Sequence, residues 1–347
     1  MTGIHPWNED IWRYLTAQRA RSAHAWLFTG PRGLGKTQCA LAFARHLLAG
    51  GDNRRAARLF DAGTHPDMHV IAREIEVEND DALAHRYARR HLEERRKGTK
   101  PKTVITIWQI RHLIEAMSTR AHSGRYKLAL LLDAHWMNVN AANALLKLLE
   151  EPPEGTVLIC VTDQIHRLPA TLRSRCAPVV FSVPPRETAR RWLAGQVESE
   201  SVDVALDLAG GAPLVALELL EEDRVDIRRK WLAGLEALYS GKADSAAVAE
   251  LGKQIGLDDS LALSQKVLAD LARCRLGAPQ ERLFNRDRMP WLQKRSQQLQ
   301  LQAVFDLIDH IGRIRQDVDG PLDTNLLLED TLIQMRRAVT GGNQRWQ

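Results

Sequence analysis

Short apolar runs alternate with stretches of helical periodicity over the first 185 residues of the chain. This alternation is typical of a parallel β-sheet whose strands are joined by covering helices, so it predicts an α/β fold. Glycine, proline or polar clusters bound each apolar run. The predicted strands are "HAWLFT" (24–29), "DMHVIA" (67–72), "YKLALLLD" (126–133), "TVLICVT" (156–162) and "PVVFSV" (178–183).

The pattern changes after "VPP" at 183–185, where strand signals almost stop and helical patterns take over. Two helical modules are expected in this part of the chain. The first covers 186–238 and ends near "YSGKADS", and the second covers 239–347. The sequence therefore predicts three domains, an α/β domain over 1–185 followed by two helical ones.

Composition and charge narrow the class of protein. The chain has 347 residues with 44% hydrophobic content and no run of eighteen apolar residues, which predicts a soluble protein. The start "MTGIHPWNEDIW" lacks the apolar core of a signal peptide, so a cytoplasmic protein is expected. A net charge of +5 and a pI near 9.1 permit contact with nucleic acid without establishing it.

The cysteines favour neither a disulfide framework nor a zinc knuckle. Cys39, Cys160, Cys176 and Cys274 lie far apart and form no C-x-x-C pair. We interpret them as buried apolar side chains.

A basic segment, "HRYARRHLEERRKGTKPK" at 85–102, interrupts the predicted sheet elements. One interpretation is a solvated helix and linker inserted between strands, and the other is a contact with a polyanion. The sequence leaves the role of the whole insert, about 73–103, open.

A phosphate-binding loop follows the first predicted strand directly. "GPRGLGKT" matches G-x-x-x-x-G-K-[ST], in which glycines let several backbone N–H groups point at phosphates and the next helix adds the positive end of its dipole. The lysine would reach the outer phosphates, and the threonine hydroxyl would bind Mg²⁺. The alternative is a glycine turn that binds nothing. The predicted nucleotide-binding residues here are Gly30, Pro31, Arg32, Gly33, Leu34, Gly35, Lys36 and Thr37.

Asp133 ends the uncharged run "LALLL" and fits the acidic partner of a nucleotide-bound Mg²⁺. The alternative is an aspartate that caps a helix or stabilises a turn. Ala134 comes next and cannot accept a proton from water, so the residues support nucleotide binding far better than hydrolysis. His135 is expected to point away from the site. We therefore predict that the chain binds ATP or ADP with Mg²⁺.

Several motifs together resemble the bacterial clamp-loader branch of the AAA+ proteins. These are the phosphate-binding loop, "LLLDAHWMNVNAANALLKLLEEPPEGTVLICVTD" and "LPATLRSRC", because members of that branch carry "NALLKxLEEPP" and "SRC" in this order. "AGTHPD" (62–67) and "NLLLEDTLIQM" extend the resemblance, which runs from "HPW" (5–7) to about residue 337. It implies an AAA+ domain over 1–185, a helical lid over 186–238 and an all-α collar domain for oligomerisation over 239–347.

The resemblance also implies a pentameric ring with delta and gamma/tau subunits of DNA polymerase III, which opens a sliding clamp and places it around primed DNA. It puts Thr162 where the outer phosphate is sensed and makes Arg175 of "SRC" an arginine finger for the adjacent subunit's ATP. A guanidinium supplied in this way accelerates hydrolysis by roughly 1,000 to 100,000 times. The alternatives are a structural salt bridge for Arg175 and plain β-propensity for Thr162.

The sequence departs from the family in three places. Ala134 replaces the glutamate of active motor subunits, and Leu214 in "GGAPLVALEL" stands where those motors carry a nucleotide-contacting arginine. Both changes argue against hydrolysis. The segment 47–67 has no cysteine, whereas many relatives have a four-cysteine zinc loop there. We therefore predict no zinc and a segment that is held by packing alone.

Three functions remain to be weighed. The favoured one is a ring subunit that binds ATP, hydrolyses little of it and completes a neighbour's active site, so that an enzymatic activity of its own is uncertain. The runner-up is an ATP-hydrolysing motor subunit of the same loader. A small-molecule kinase would leave the helical tail and "SRC" without explanation.

Overall fold

The structure is a computed structural model that describes residues 4–17, 23–50, 53–80, 82–94, 99–122, 124–316 and 324–340. The chain forms two compact units, Met1–Thr188 and Ala189–Gln347. None of the helices in the described ranges is long and apolar enough to span a membrane.

A five-stranded parallel sheet forms the centre of the first unit, in the order β2-β3-β4-β1-β5. Strands β1 to β4 are buried along their whole length, as expected for a parallel sheet covered on both faces. The predicted fold class is confirmed. The strands are β1 (Ala25–Thr29), β2 (Met68–Ile71), β3 (Lys127–Leu131), β4 (Thr156–Thr162) and β5 (Ala177–Val180).

Strand β5 ends three residues earlier than predicted. Val180 pairs with Thr29, the last residue of β1, so β5 has no neighbour to pair with beyond this point. Phe181 still donates its N–H to the Thr29 carbonyl at 2.7 Å, and the chain then leaves the sheet.

In the described part of the first unit, eight α-helices accompany the sheet. Side-chain caps begin three of them: Asn53 caps α3, Thr106 forms a capping box with Gln109 on α6, and Asn138 caps α7. The helices are α1 (Glu9–Ala17), α2 (Lys36–Ala49), α3 (Arg54–Asp61), α4 (Glu74–Asn79), α5 (Leu83–Ala88), α6 (Ile107–Ser118), α7 (Val139–Glu150) and α8 (Ala170–Arg173).

The basic insert is more than a solvated helix. Ala84, Tyr87 and Ala88 of α5 are buried, as is His91 in the 3-10 turn Arg89–His91 that follows. The insert therefore packs one face against the rest of the unit and leaves arginines exposed on the other. Residues 95–98 of the segment lie outside the described ranges.

The same insert forms hydrogen bonds with the cysteine-free segment 47–67. The Tyr87 hydroxyl donates to the carbonyl of Phe60 at 3.0 Å and accepts from the N–H of His65 at 3.3 Å. The Arg90 guanidinium donates to the carbonyls of Gly63 and His65, each at 3.0 Å. The prediction that packing alone holds 47–67 was wrong, because directed hydrogen bonds from the insert satisfy the backbone of this turn.

A chain of histidines links β2, the insert and α6. Nδ1 of His69 lies 3.2 Å from Nε2 of His91, and Nδ1 of His91 lies 3.1 Å from Nδ1 of His112. Burial lowers the pKa of His69 to about 4 and that of His91 to about 3. Both rings are therefore neutral at neutral pH, which allows each contact to join one N–H donor and one bare nitrogen.

The second unit is helical throughout its described residues. The chain enters it within α9, at 188/189, and the predicted domain boundaries at 185 and 238 stay predictions. The helices are α9 (Arg186–Ala194), α10 (Val202–Leu208), α11 (Pro213–Glu221), α12 (Arg224–Ser240), α13 (Ser245–Ile255), α14 (Leu257–Arg275), α15 (Met289–Ser296), α16 (Leu301–Gln316) and α17 (Thr324–Thr340).

Two hydrophobic cores share the long helix α12. Val225, near its start, packs in a small core with residues of α9, α10 and α11. Trp231 and the following apolar residues of α12 pack in a larger core that extends to Val339. The predicted boundary at 238 lies close to the end of this shared helix.

Candidate nucleotide site

The phosphate-binding loop joins β1 to α2 and contains three glycines in left-handed backbone conformations. The φ angles of Gly30, Gly33 and Gly35 are 144°, 77° and 81°, which residues with a Cβ avoid. At Gly30 a Cβ would also collide with the carbonyl of Phe181, just after β5. The loop can therefore take this path only with glycine at its first position.

A turn near the N-terminus supports the loop. Trp7 donates its ring N–H to the Leu34 carbonyl at 3.0 Å, and the Asn8 amide donates to the same oxygen at 2.8 Å. The His5 ring stacks on Trp7 with 4.7 Å between ring centres and lies against Gly35, where a Cβ would come within 2.5 Å of it. The sequence "HPWN" thus fixes the second half of the loop.

Lys36 opens α2 and is only 7% exposed. Its amine donates to the carbonyls of Gly30 at 2.7 Å and Pro31 at 2.6 Å, so the side chain folds back over the loop. Burial lowers the pKa of Lys36, while the carboxylates of Asp163 and Asp133 act in the opposite direction. The amine is thereby placed among the backbone groups that a phosphate would meet.

The other predicted loop residues lie around this lysine. Leu34 is buried, Thr37 is half-buried in the first turn of α2, and Pro31 and Arg32 are exposed. Their roles in binding a nucleotide stay predictions.

Asp133 lies two residues after the end of β3 and has a left-handed conformation, with φ 45° and ψ 48°. One oxygen of Asp133, one nitrogen of His135 and one oxygen of Asp163 lie within 4.8 Å of one another. Nδ1 of the buried His135 is 3.4 Å from Oδ1 of Asp163 and 3.1 Å from the Thr162 hydroxyl. The structure therefore gathers these side chains at the carboxyl ends of β3 and β4.

The expectation that His135 points away from the site was wrong. Residues 134–136 form a 3-10 turn, whose tight winding brings His135 back over the carboxyl end of the sheet. Burial lowers the pKa of His135, with Asp163 and Asp133 opposing the shift. The ring is therefore a neutral imidazole at neutral pH.

Thr162 ends β4 and is completely buried. It is in register with Thr29, the last residue before the phosphate-binding loop. Its hydroxyl accepts the N–H of Gln164 at 3.1 Å and contacts His135, so its orientation is fixed from two sides. The phosphate-sensing role of Thr162 stays a prediction.

Ala134 and Leu214, the two positions that argue against hydrolysis, both lie in described parts of the chain. Ala134 has no exposed surface and belongs to the apolar core of the first unit. Leu214 lies in the first turn of α11, where it offers no charge to a ligand.

Arg175 follows α8 and is about one-third exposed. Its guanidinium forms an ion pair with Glu150, the last residue of α7, at 2.7 Å, and donates to the Thr171 carbonyl at 2.9 Å. An ion pair this exposed stabilises the fold by about 0 to 1 kcal/mol, so the guanidinium can leave it at little cost. Glu150 belongs to "LEEPP", so the pair joins two of the motifs that the sequence singled out.

Sequence reasoning missed Asp163 and the part played by Glu150. Asp163 could have been found, because it follows Thr162 at the end of a predicted strand and carboxyl ends of parallel strands share one edge of the sheet. The Glu150 contact had no local signal, since it joins the last residue of α7 to a residue that follows α8, twenty-five positions further along the chain.

The site and the fold together define a class of protein. A parallel sheet carries a phosphate-binding loop after β1, an aspartate after β3 and a threonine at the end of β4, and an all-helical unit follows. This combination is that of an AAA+ P-loop protein with helical C-terminal domains.

Comparison with known proteins places the chain within this class. The family model described as "DNA polymerase III, delta subunit" matches residues 8–185, and a model of the C-terminal part of that subunit matches 222–337. DNA polymerase III subunit delta' of Pseudomonas aeruginosa is 33% identical over 267 residues, 74% of each chain. Its counterpart in Yersinia pestis is 29% identical over 360 residues, 97% of each chain. The chain belongs to the delta-prime family of DNA polymerase III clamp-loader subunits.

Among solved structures, a DNA polymerase III gamma subunit-related protein from Thermotoga maritima matches this chain with 17% identity and a TM-score of 0.45, over 95% of this chain and 98% of that one.

Proposed function

We propose that this clamp-loader subunit binds ATP or ADP with Mg²⁺ at its phosphate-binding loop and does not hydrolyse the nucleotide productively. The observation that carries the proposal is the meeting of Lys36, Asp133 and Thr162 at one edge of the sheet, next to a loop with three left-handed glycines. Ala134, which follows Asp133 and is buried in the apolar core, offers no proton acceptor.

The residues fit a nucleotide and its metal ion. The glycine path leaves the backbone N–H groups of the loop free of Cβ atoms, so that they can face phosphate oxygens. The amine of Lys36 would exchange its two carbonyl partners for phosphate oxygens. Thr37 and Asp133 would hold Mg²⁺, which neutralises phosphate charge when bound.

A motor subunit is the second candidate, and one observation favours it. The neutral imidazole of His135 lies in the site, where it could accept a proton in place of the missing glutamate. Its Nδ1 already contacts the Thr162 hydroxyl, however, and Leu214 supplies no cation from the lid. We therefore place hydrolysis second.

We further propose that Arg175 serves the nucleotide of an adjacent subunit. Its hydrogen bonds within the described residues go to Glu150 and Thr171, neither of which belongs to the phosphate-binding loop. The proposed setting is a cytoplasmic pentameric ring with delta and gamma/tau subunits that loads a sliding clamp onto primed DNA. In that ring, 1–185 is the nucleotide-binding domain, 186–238 the lid and 239–347 the collar.

Calorimetry and a turnover assay on the pure protein test the proposal. We expect ATP and ADP with Mg²⁺ to bind the wild type and Lys147→Ala, a control that removes an exposed lysine of α7. Lys36→Ala should abolish binding, because the buried cation is lost. Steady-state hydrolysis at rates typical of motor ATPases would instead establish the second candidate, and failure of the wild type to bind nucleotide would overturn both.

A further inference from the structure

We infer that Asp133, His135 and Asp163 form a site for a divalent transition-metal ion of the Mn²⁺ kind, which binds in the absence of nucleotide. The site shares Asp133 with the proposed nucleotide site and otherwise uses different side chains. It therefore stands or falls separately from nucleotide binding.

The spacing of the donor atoms suits one ion. Two ligands bound to the same ion at about 2.1 Å lie about 3.0 Å apart at a right angle and about 4.2 Å apart across the ion. The 3.4 Å between His135 Nδ1 and Asp163 Oδ1 falls in this range, and all three donor atoms lie within 4.8 Å of one another. Small side-chain rotations bring the third donor into range.

The charge of the group calls for a cation. Asp133 and Asp163 make no hydrogen bond or ion pair with a lysine or arginine in the described parts of the chain, and Oδ1 of Asp163 is buried without a hydrogen-bond donor. Lys36, the cation whose charge acts on both, directs its amine to two backbone carbonyls instead. The Asp163 side chain as a whole is 28% exposed, but its buried Oδ1 lacks a hydrogen-bond donor, and a bound cation would supply a partner for that oxygen.

Rigidity favours the same conclusion. His135 is 5% exposed and is held by the 3-10 turn, so little side-chain entropy is lost when a metal binds. The metal would replace the Thr162 hydroxyl as the partner of Nδ1. Asp133 lies two residues after β3, and Asp163 lies directly after the adjacent strand β4. The donors thus lie together at the carboxyl edge of the central sheet.

The donor types select the metal. An imidazole nitrogen with two carboxylates suits first-row transition ions, whereas Mg²⁺ and Ca²⁺ prefer oxygen ligands alone. We therefore expect Mn²⁺ to bind more tightly than Mg²⁺ in the absence of nucleotide. No cysteine takes part, which separates this site from the zinc loop that 47–67 lacks.

Titration with MnCl₂ alone, followed by electron paramagnetic resonance of free Mn²⁺, tests the inference on the full chain. The wild type should take up one Mn²⁺. Asp163→Asn should weaken Mn²⁺ binding at least tenfold. Mutating a residue that only orients a metal ligand already lowers metal affinity roughly 10- to 100-fold, and replacing the ligand itself should cost at least as much. His135→Asn should reduce the preference for Mn²⁺ over Mg²⁺, since an amide oxygen replaces the imidazole. Asp10→Asn, on the exposed side of α1, is the matched control and should leave binding unchanged.

Circular dichroism of each variant shows whether it is folded. If His135→Asn does not fold, the Mn²⁺ affinity of Asp163→Asn alone tests the metal site. No Mn²⁺ uptake by the wild type, or uptake that neither Asp163→Asn nor His135→Asn weakens, would overturn the inference. Binding of Mg²⁺-ATP without uptake of Mn²⁺ alone would do the same and leave the proposed function intact. Uptake of Mn²⁺ that Asp163→Asn weakens, in a chain that binds no nucleotide, would support the metal site and remove the nucleotide proposal.

Discussion

The guanidinium of Arg175 lies 2.7 Å from the carboxylate of Glu150, so that the "SRC" and "LEEPP" motifs are joined by an ion pair. Both side chains are substantially exposed, which makes the pair weak and exchangeable. The carboxylate therefore holds the proposed arginine finger in one orientation while leaving it available to a negatively charged ligand on a neighbouring subunit.

Replacing Arg175 by alanine is expected to leave folding and this chain's own nucleotide affinity nearly unchanged. In a reconstituted clamp loader it should lower ATPase activity partially and clamp loading more strongly, because one interface loses a guanidinium that stabilises transferred phosphoryl charge. Arg173→Ala, at an exposed arginine of α8, is the control. Gel filtration confirms assembly. If Lys36→Ala proves more damaging than Arg175→Ala in the assembled complex, the chain is better described as a motor subunit.

Gly30→Ala should disrupt both the fold and the site. The substitution forces a Cβ against the Phe181 carbonyl at a φ of 144°, and backbone strain alone costs about 1 to 3 kcal/mol. Gly50→Ala separates the two effects, because Gly50 has a φ of 56° and a Cβ added there would meet no atom within 4 Å. Urea unfolding should show the larger loss for Gly30→Ala, together with loss of nucleotide binding. Equal losses would show that the contact with the end of β5 is unimportant.

Tyr87→Phe should destabilise the cysteine-free segment. The hydroxyl is buried, donates to the Phe60 carbonyl and accepts from the His65 N–H, so its removal takes away both hydrogen bonds, although the Phe60 carbonyl still accepts the N–H of Gly63. Each lost hydrogen bond costs about 0.5 to 1.5 kcal/mol. Hydrogen exchange of residues 54–65 should quicken in Tyr87→Phe and stay unchanged in Tyr14→Phe, where the ring is 47% exposed. Unchanged exchange in both variants would leave the segment without its proposed anchor.

The buried histidines predict a loss of stability in mild acid. The pKa of His69 is lowered to about 4 and that of His91 to about 3, from 6.5 in the unfolded chain. Between these values the unfolded state binds more protons, so the free energy of unfolding falls as the pH drops below 6.5, by up to about 1.4 kcal/mol per pH unit for each histidine. Denaturant titrations at pH 7.5 and 5.0 measure this. His91→Gln should flatten the dependence, whereas His166→Gln, at an exposed site, should not.

The preparation is expected to contain no stoichiometric zinc. The region around 47–67 has no cysteine, and the group of possible metal ligands in the described residues lies elsewhere, at Asp133, His135 and Asp163. Elemental analysis of protein purified without chelators checks this. One zinc per chain that survives gel filtration and is retained by Asp163→Asn would contradict it, because zinc held by Asp133, His135 and Asp163 should be lost from that variant.

The fold and the loop were accessible from the sequence because local patterns specify them. Four of the five strands lie inside their predicted ranges, since buried apolar runs and their bounding turns are encoded within a few residues. The glycine spacing of the phosphate-binding loop is likewise local. The end of β5 was predicted less well, because it depends on where the neighbouring strand β1 stops.

The rest of the site depends on contacts between distant residues. His135 was misjudged because extended geometry was assumed for a stretch that forms a 3-10 turn. The hydrogen bonds of Tyr87 and Arg90 with the turn at 63–65 join residues more than twenty positions apart, and no local sequence pattern predicts them. The structural role of the basic insert is therefore visible only in its packing and could not be predicted from the sequence.

The hydrogen bonds of Tyr87 and Arg90 with the turn at 63–65 affect the conditions under which the protein can stay folded. A segment fastened by cysteine thiolates around zinc depends on metal supply and is open to thiol oxidation, whereas here a phenol and a guanidinium make the connection. Neither group needs a metal or changes under ordinary oxidants. This part of the subunit should therefore keep its shape through zinc starvation and oxidative stress alike, and respond instead to agents that compete for hydrogen bonds.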